Sequence, residues 1–435
     1  MRYLILAPLI LSASPLLFAF PLLAADKPEP ARMKATVEKL VSFGTRNTLS
    51  SATDPKRGIG AARAWAAAQF TAIGASCGDC IKVEQISRIF TGPRAPNGVD
   101  VVDVLGIQPG RDANRVVIVG AHIDSRGTDT LDITKDAPGA NDDGSGVALV
   151  LEAARLLSRE KFDATIIYAI FSGEEQGLWG GTLLAETARA RGWEVSAMLN
   201  NDIVGNSMGQ NGIRVADRVR VFSEGIRASE ELPDQFARRG NGGEDDGPSR
   251  ALAKTIDGIA DTITGGLDVF MDRRPDRFGR GGDHEPFLRL GYPAVRFSVG
   301  AENWTQQHQD LRTEGGIVYG DTIDKMDFRY LAKVTAINIA AIRRLATAPA
   351  APRRVTIAGA LSYDTEVKWE PVAGAAGYRI RWRRTDLSGW TGRRDVGETS
   401  AQLMNVIVDD HLFAVSALSA SGAESIPVLA GPVPR

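Results

Sequence analysis

From residue 101 onward, short apolar runs alternate with stretches in which apolar residues recur every three or four positions. The runs at 101–107, 116–123, 164–171, 197–204, 267–271 and 294–299 predict strands. The amphipathic stretches at 145–158, 178–190, 249–263 and 327–346 predict helices, and two further helical patterns, 33–42 and 61–72, precede the first strand. Apolar strands separated by helices point to an α/β layer architecture, a mostly parallel mixed sheet flanked by helices. The segment 205–248, rich in Gly, Arg and Asp, interrupts the alternation and reads as a solvated surface excursion whose charges need no functional role.

Small residues and two prolines at 347–352 end the helical pattern and read as a linker. Beyond them the period becomes two, at 367–370, 378–383 and 412–417, as in strands with one buried face. This tail suits an all-β sandwich and resembles a fibronectin type III domain, with Trp369 in an early strand, Tyr378 opening a middle strand and 414–417 near the end. The resemblance implies a spacer or adhesion module that binds a surface or another protein, and carries no catalytic inference.

At the other end, Met1 and Arg2 precede an apolar run to Leu23 and then Ala24-Ala25-Asp26, the pattern of a secretory signal broken near Ala25. A retained single-span anchor is the alternative. The expected organisation is a signal at 1–25, a catalytic domain at 26–350 and a β-sandwich at 351–435, in a secreted or periplasmic protein without stable membrane insertion once the signal is removed.

Composition narrows the picture. Lys plus Arg (51) nearly balances Asp plus Glu (53), which removes the electrostatic case for nucleic acid or anionic lipid as a partner. The only two cysteines, Cys77 and Cys80, fit a small disulfide in an oxidising compartment; a redox pair is the alternative, and a thiolate zinc site lacks a second pair.

The candidate chemistry gathers where predicted strands end. In His122-Ile123-Asp124 the first and third side chains share a face, so Asp124 can orient a metal-binding His122. Asp142 and Asp143 are adjacent in a Gly-flanked loop entering a helix, and would repel unless cations offset them; Asp143 or Ser145 can cap that helix. Glu174 and Glu175 follow the 164–171 strand and point in different directions, so one can hold metal and the other a proton. Asp202 is a carboxylate within an otherwise apolar strand. Each segment alone also fits an ordinary structural turn, but ligands bind at this edge of open α/β sheets, so the four are expected to converge.

In order and spacing, His122-x-Asp124, Gly139-Ala140-x-Asp142-Asp143, Gly173-Glu174-Glu175-x-Gly177 and Asn200-x-Asp202 resemble the co-catalytic zinc exopeptidases of metallopeptidase family 28, across roughly residues 90–345. The resemblance implies two zinc ions per chain. His122, Asp142 and Asp202 would hold one, and Asp142, Glu175 and a late histidine the other. Glu174 would act as general base, with Asp124 supporting it. His308 is the matching late histidine, although the family's His-Thr-x-x-Asp-Thr is broken here and Gly320-Asp321-Thr322 stands well downstream. His284, in Asp283-His284-Glu285-Pro286-Phe287, resembles another family segment and is a substrate-binding candidate. So is Arg296, which could orient backbone carbonyls, bind a carboxylate or form a surface ion pair. The implied activity is release of N-terminal amino acids from a peptide or protein with a free terminus. Competing readings are a carboxypeptidase of the same fold, a glutaminyl cyclase-like enzyme with one zinc, and a non-catalytic binding protein.

Overall fold

The computed structural model describes residues 27–432; the expected signal lies outside them. Helices α1 (Pro30–Val41) and α2 (Ile59–Ser76) lead, past a Cys77–Cys80 disulfide, into a hairpin of β1 (Lys82–Gly92) and β2 (Ala95–Gln108). There follow β3 (Asp112–His122), α3 (Gly144–Leu157), β4 (Ala164–Phe171), the single turn α4 (Glu174–Gly177), α5 (Trp179–Ala190) and β5 (Glu194–Asn201). Next come β6 (Arg218–Phe222), α6 (Leu232–Asn241), α7 (Pro248–Ala260), β7 (Asp268–Asp272), α8 (Glu285–Arg289) and β8 (Ala294–Val299). A short hairpin of β9 (Arg312–Glu314) and β10 (Ile317–Tyr319) precedes the closing helix α9 (Phe328–Thr347).

Eight strands form one mixed sheet in the order β1-β2-β4-β3-β5-β8-β6-β7. Its centre, β4-β3-β5-β8, is parallel, and every residue of β4 and β8 is buried. Continuous apolar strands are what a parallel sheet covered on both faces requires. Along β3, Val117 and Val119 enter the core on one face, with α1, α2, α3 and α9, while Val116 and Ile118 enter the core on the other, with α5 and α8. Each fully buried aliphatic side chain in these layers contributes about 1.5–3 kcal/mol relative to exposure. Among the described residues no helix is long and apolar enough to cross a membrane.

Two elements differ from expectation. The 205–248 segment is not wholly a solvated excursion: β6 lies inside the sheet, antiparallel to β8, with Val219 and Val221 fully buried. The surrounding Gly, Arg and Asp residues hide a five-residue strand too short to register as a period. The β1–β2 hairpin is far longer than the predicted 101–107 strand. Only Val104–Gln108 of β2 pair with β4, so its first half, paired with β1 alone, projects beyond the C-terminal end of β4. β1 is an edge strand with mostly exposed side chains, which gave it no apolar signature.

The tail contains β11 (Thr356–Ala358), β12 (Thr365–Lys368), β13 (Gly377–Arg384), β14 (Gly392–Val396), β15 (Ser400–Leu403), β16 (His411–Leu418), β17 (Val428–Leu429) and β18 (Gly431–Pro432). They form two four-stranded sheets, β15-β12-β11-β18 and β14-β13-β16-β17, around a shared core with Val367, Trp369, Tyr378, Ile380 and Phe413. The outward side chains of β13 are not all solvated. Arg379 and Arg381, together with Arg344 of α9, converge on buried Glu424, and Arg383 pairs with Asp246.

Candidate active site

The C-terminal ends of β3, β4 and β5 face one cleft of about 430 Å³. Asp143, the N-cap of α3, accepts from Gly146 N (3.0 Å), His122 N (3.1 Å) and Ile203 N (3.3 Å), so its carboxylate is spent on backbone. Gly146 is required where α3 meets the end of β5, because a Cβ there would lie 2.0 Å from Asn201 O. Neighbouring Asp142 is thereby left to face the cleft.

Asp142 stands between two imidazoles. Its Oδ1 is 3.1 Å from His122 Nε2 and its Oδ2 is 3.1 Å from His308 Nε2. His122 Nε2 also approaches Asp202 Oδ1 at 3.8 Å, and His308 Nε2 approaches Glu175 Oε1 at 3.0 Å. Donor atoms of His122, Glu174 and Asp202 form one compact group, and those of Asp142, Glu175 and His308 another, each within 4.8 Å. Buried His122 Nε2 has no hydrogen-bond partner among the described residues. An imidazole nitrogen aimed at carboxylate oxygens without a hydrogen bond is what metal ligation leaves behind, and a mixed nitrogen and oxygen donor set of this kind suits zinc.

A further layer holds these groups. Asp124 accepts from Thr48 Oγ1 (3.0 Å), Glu174 N (3.3 Å) and Glu175 N (3.1 Å), and its backbone carbonyl lies 3.1 Å from His122 Nδ1. Arg126 donates to Glu175 Oε2 at 2.8 Å, and its Nη2 is 2.6 Å from His308 Nδ1. Asp321 accepts from Asn141 N and Asp142 N, at 2.8 and 2.7 Å. The twelve residues between His308 and Asp321, which set Asp321 apart from its expected place near His308, are taken up largely by the β9–β10 hairpin, and the chain returns afterwards. Fully buried Arg46 donates to the carbonyls of Ile123, Pro138 and Gly139, clamping the loop before Asp142. Burial lowers Arg46 to about 10, against the attraction of Asp321 and Asp124.

Glu174 differs from its neighbours. It lines the cleft, and its carboxylate makes no hydrogen bond or ion pair to any described residue. Burial pushes it well above the usual carboxylate range, partly opposed by His122. A cleft carboxyl group with no hydrogen-bond partner among the described residues is free to exchange a proton with what enters the cleft.

Two expectations are corrected. Arg296 is neither on the surface nor turned to substrate: it is fully buried, with Nη2 3.0 Å from Asp202 Oδ2 and Nη1 2.9 Å from Asp276 Oδ2. His284 is fully buried as well, its Nε2 2.7 Å from the carbonyl of Pro275. Arg296 belongs to β8, every residue of which is buried, and His284 caps α8 just before its buried Pro286, Phe287 and Leu288. Asp202 follows β5 rather than lying within the strand. The cleft's cationic lining went unseen in the sequence: Arg94, Arg126, Arg277 and Arg280 all face it. The arginine-rich stretch 273–280 was the signal available for two of them.

Residues 103–342 match the model described as Peptidase family M28. A protein called "Probable zinc metalloprotease" from Pyrenophora teres f. teres is 41% identical over 92% of this chain and 84% of its own length. A relative of the same description from Pyricularia oryzae is 39% identical over 92% of this chain and 82% of its own. Among solved structures, a leucine aminopeptidase precursor from Bacteroides thetaiotaomicron superposes with a TM-score of 0.53 at 18% identity, covering 73% of this chain and 98% of that one. Porphyromonas gingivalis glutaminyl cyclase does so with a TM-score of 0.51 at 18% identity, over 73% and 99%. At that identity the superpositions speak to the fold alone, which is shared by two different chemistries.

Proposed function

The chain belongs to peptidase family M28, and from that premise we propose that it is an exported exopeptidase with two zinc ions per chain that releases single residues from the amino terminus of peptides. The observation that carries the reading is Asp142, one carboxylate offering a different oxygen to each of two imidazoles. His122, Asp142 and Asp202 would hold one ion, and Asp142, Glu175 and His308 the other. Zinc bound there supplies Lewis acidity toward a peptide carbonyl and acidifies water. Glu174 takes the proton of the attacking water on its free carboxylate and delivers it to the departing amine nitrogen. Asp124 fixes the Glu174–Glu175 turn while this occurs, and Arg126 holds Glu175 and His308 in register.

Asp142, which turns one oxygen to His122 and the other to His308, together with Asp202 on the first side and Glu175 on the second, favours this over glutaminyl cyclase-like chemistry with one zinc. Export is supported by the apolar leader and by the Cys77–Cys80 bond, which suits an oxidising compartment. The two-sheet tail is read as a fibronectin type III-like spacer. The test is zinc stoichiometry together with turnover of Leu- and Gln-terminated substrates by the parent chain and Glu174→Gln. Two zinc ions, hydrolysis of the Leu substrate and an inactive variant that keeps its metal are expected. One zinc with Gln cyclisation would replace the reading.

A further inference from the structure

We propose that Arg94 and Arg280 form an anion subsite in the cleft, and that this peptidase prefers substrates carrying a carboxylate beyond the scissile bond. The inference rests on the exopeptidase reading and adds a substrate class to it.

The two guanidinium groups come from different loops. Arg94 sits in the turn of the overhanging β1–β2 hairpin, where Nη1 donates to the carbonyl of Glu175 at 2.6 Å. Among the described residues no carboxylate pairs with it. The hairpin is anchored to the helix that follows the glutamates by Phe90, stacked on Trp179 at 5.4 Å and 14°. Arg94 is therefore presented by a braced element, which lowers the ordering cost of binding. Arg280 belongs to the stretch Arg273-Arg274-Pro275-Asp276-Arg277-Phe278-Gly279-Arg280. Its Nη1 reaches Glu302 Oε2 (3.0 Å) and Gln307 Oε1 (3.1 Å), while Nε and Nη2 have no partner among the described residues.

Local charge leaves these groups under-compensated. Arg220, Arg277 and Arg280 all converge on the single buried carboxylate of Glu302, and Asp276 is already shared by Arg277 and Arg296. The acidic side chains of the cleft are Glu174 and the residues that would hold metal, whose charge bound cations would offset; Glu285, the remaining carboxylate of the lining, is paired with Arg289. Free guanidinium N–H groups in a partly enclosed cleft bind a carboxylate through charge-assisted, planar hydrogen bonds, a geometry that lysine does not reproduce. The carboxylate can be the substrate's own C-terminus, when the peptide is short, or an acidic side chain after the cleaved bond.

The test uses zinc-loaded full-length protein at low ionic strength. Hydrolysis of Leu-Ala is compared with that of Leu-Ala amide, and hydrolysis of Leu-Glu amide with that of Leu-Gln amide, which separates the two sources. Binding of the same four peptides to Glu174→Gln is read by calorimetry, so the comparison does not depend on turnover. At least one carboxylate member of a pair should be favoured about tenfold, the preference should shrink in high salt, and R94Q or R280Q should narrow the acid-to-neutral ratio about tenfold. R280K should restore it only in part, with melting temperatures of all variants recorded alongside. Equal binding within both pairs, or variants that weaken acid and neutral peptides alike, overturns the subsite. Should zinc-loaded parent protein cleave none of the peptides, the exopeptidase reading fails, and the calorimetric ratios still decide the anion subsite.

Discussion

The Asp124 carboxylate accepts a hydrogen bond from the backbone N–H of Glu175 at 3.1 Å, joining the end of β3 to the turn that follows β4. Through that bond and the one from Glu174 N, one buried residue orients the Glu174–Glu175 turn and, by its backbone carbonyl, the ring of His122. Asp124→Asn replaces an acceptor oxygen with a donor that faces N–H groups. Zinc affinity or kcat/KM should fall about 10–100-fold, as losses of such supporting groups do. Metal competition titration and steady-state kinetics check this, and an Asn variant with parental values for both would remove Asp124 from the site.

Arg296 should behave as a structural cation rather than a substrate contact. Arg296→Met takes the guanidinium partner from buried Asp202 and leaves buried Asp276 with Arg277 and His284, and removing one partner of a buried ion pair costs about 3–5 kcal/mol. Denaturant unfolding of the parent and variant chains measures it. A raised KM with unchanged stability would return Arg296 to the substrate side.

Metal removal should invert the usual pH response. Burial lifts Asp283 and Asp321 to about 7, opposed by His122 for the first and by the Asp142 backbone for the second. A carboxylate raised in the fold adds stability that is fully present below its unfolded value of about 4 and is lost as pH rises through about 7. Chelated protein should therefore melt at a higher temperature at pH 6 than at pH 8. Added zinc, whose charge favours the ionised carboxylates, should flatten or reverse the difference. Identical slopes with and without zinc would disprove the link.

The tail should be held to the catalytic body through Glu424. Glu424→Gln removes the charge on which Arg344, Arg379 and Arg381 converge, at a cost of about 1–3 kcal/mol. Hydrogen exchange should quicken in β13 and at the end of α9 while β3–β5 stay protected. Unchanged exchange at the seam would mean that apolar contacts such as Ile426, which joins the main core, suffice by themselves.

Much of this was legible in the sequence because it is local. Strand ends followed by Asp, Glu and His told where donors would gather, and unbroken apolar runs such as β4 told that the sheet would be covered on both faces. His308 could be matched only by resemblance, since its partners Asp142 and Glu175 are far away in the chain. Arg296 misleads for the opposite reason, since a charged side chain in an apolar segment looks functional until the packing around it is known, and His284, matched only by resemblance, carries no local sign of its burial. The arginine-rich 273–280 stretch has no periodicity that would tell which of its side chains face a cleft.

What the sequence by itself determined is the order of strands and helices and the kinds of atoms available at their ends, because periodicity and side-chain chemistry are properties of a short window. Only the tertiary structure decided which of those atoms meet. The Arg126–His308 contact spans 182 positions and Asp321 to Asp142 spans 179. The overhang of β2 that carries Arg94 to the cleft comes from strand register. Such pairings depend on how layers pack, and packing sums contributions from the whole chain, which no local pattern contains.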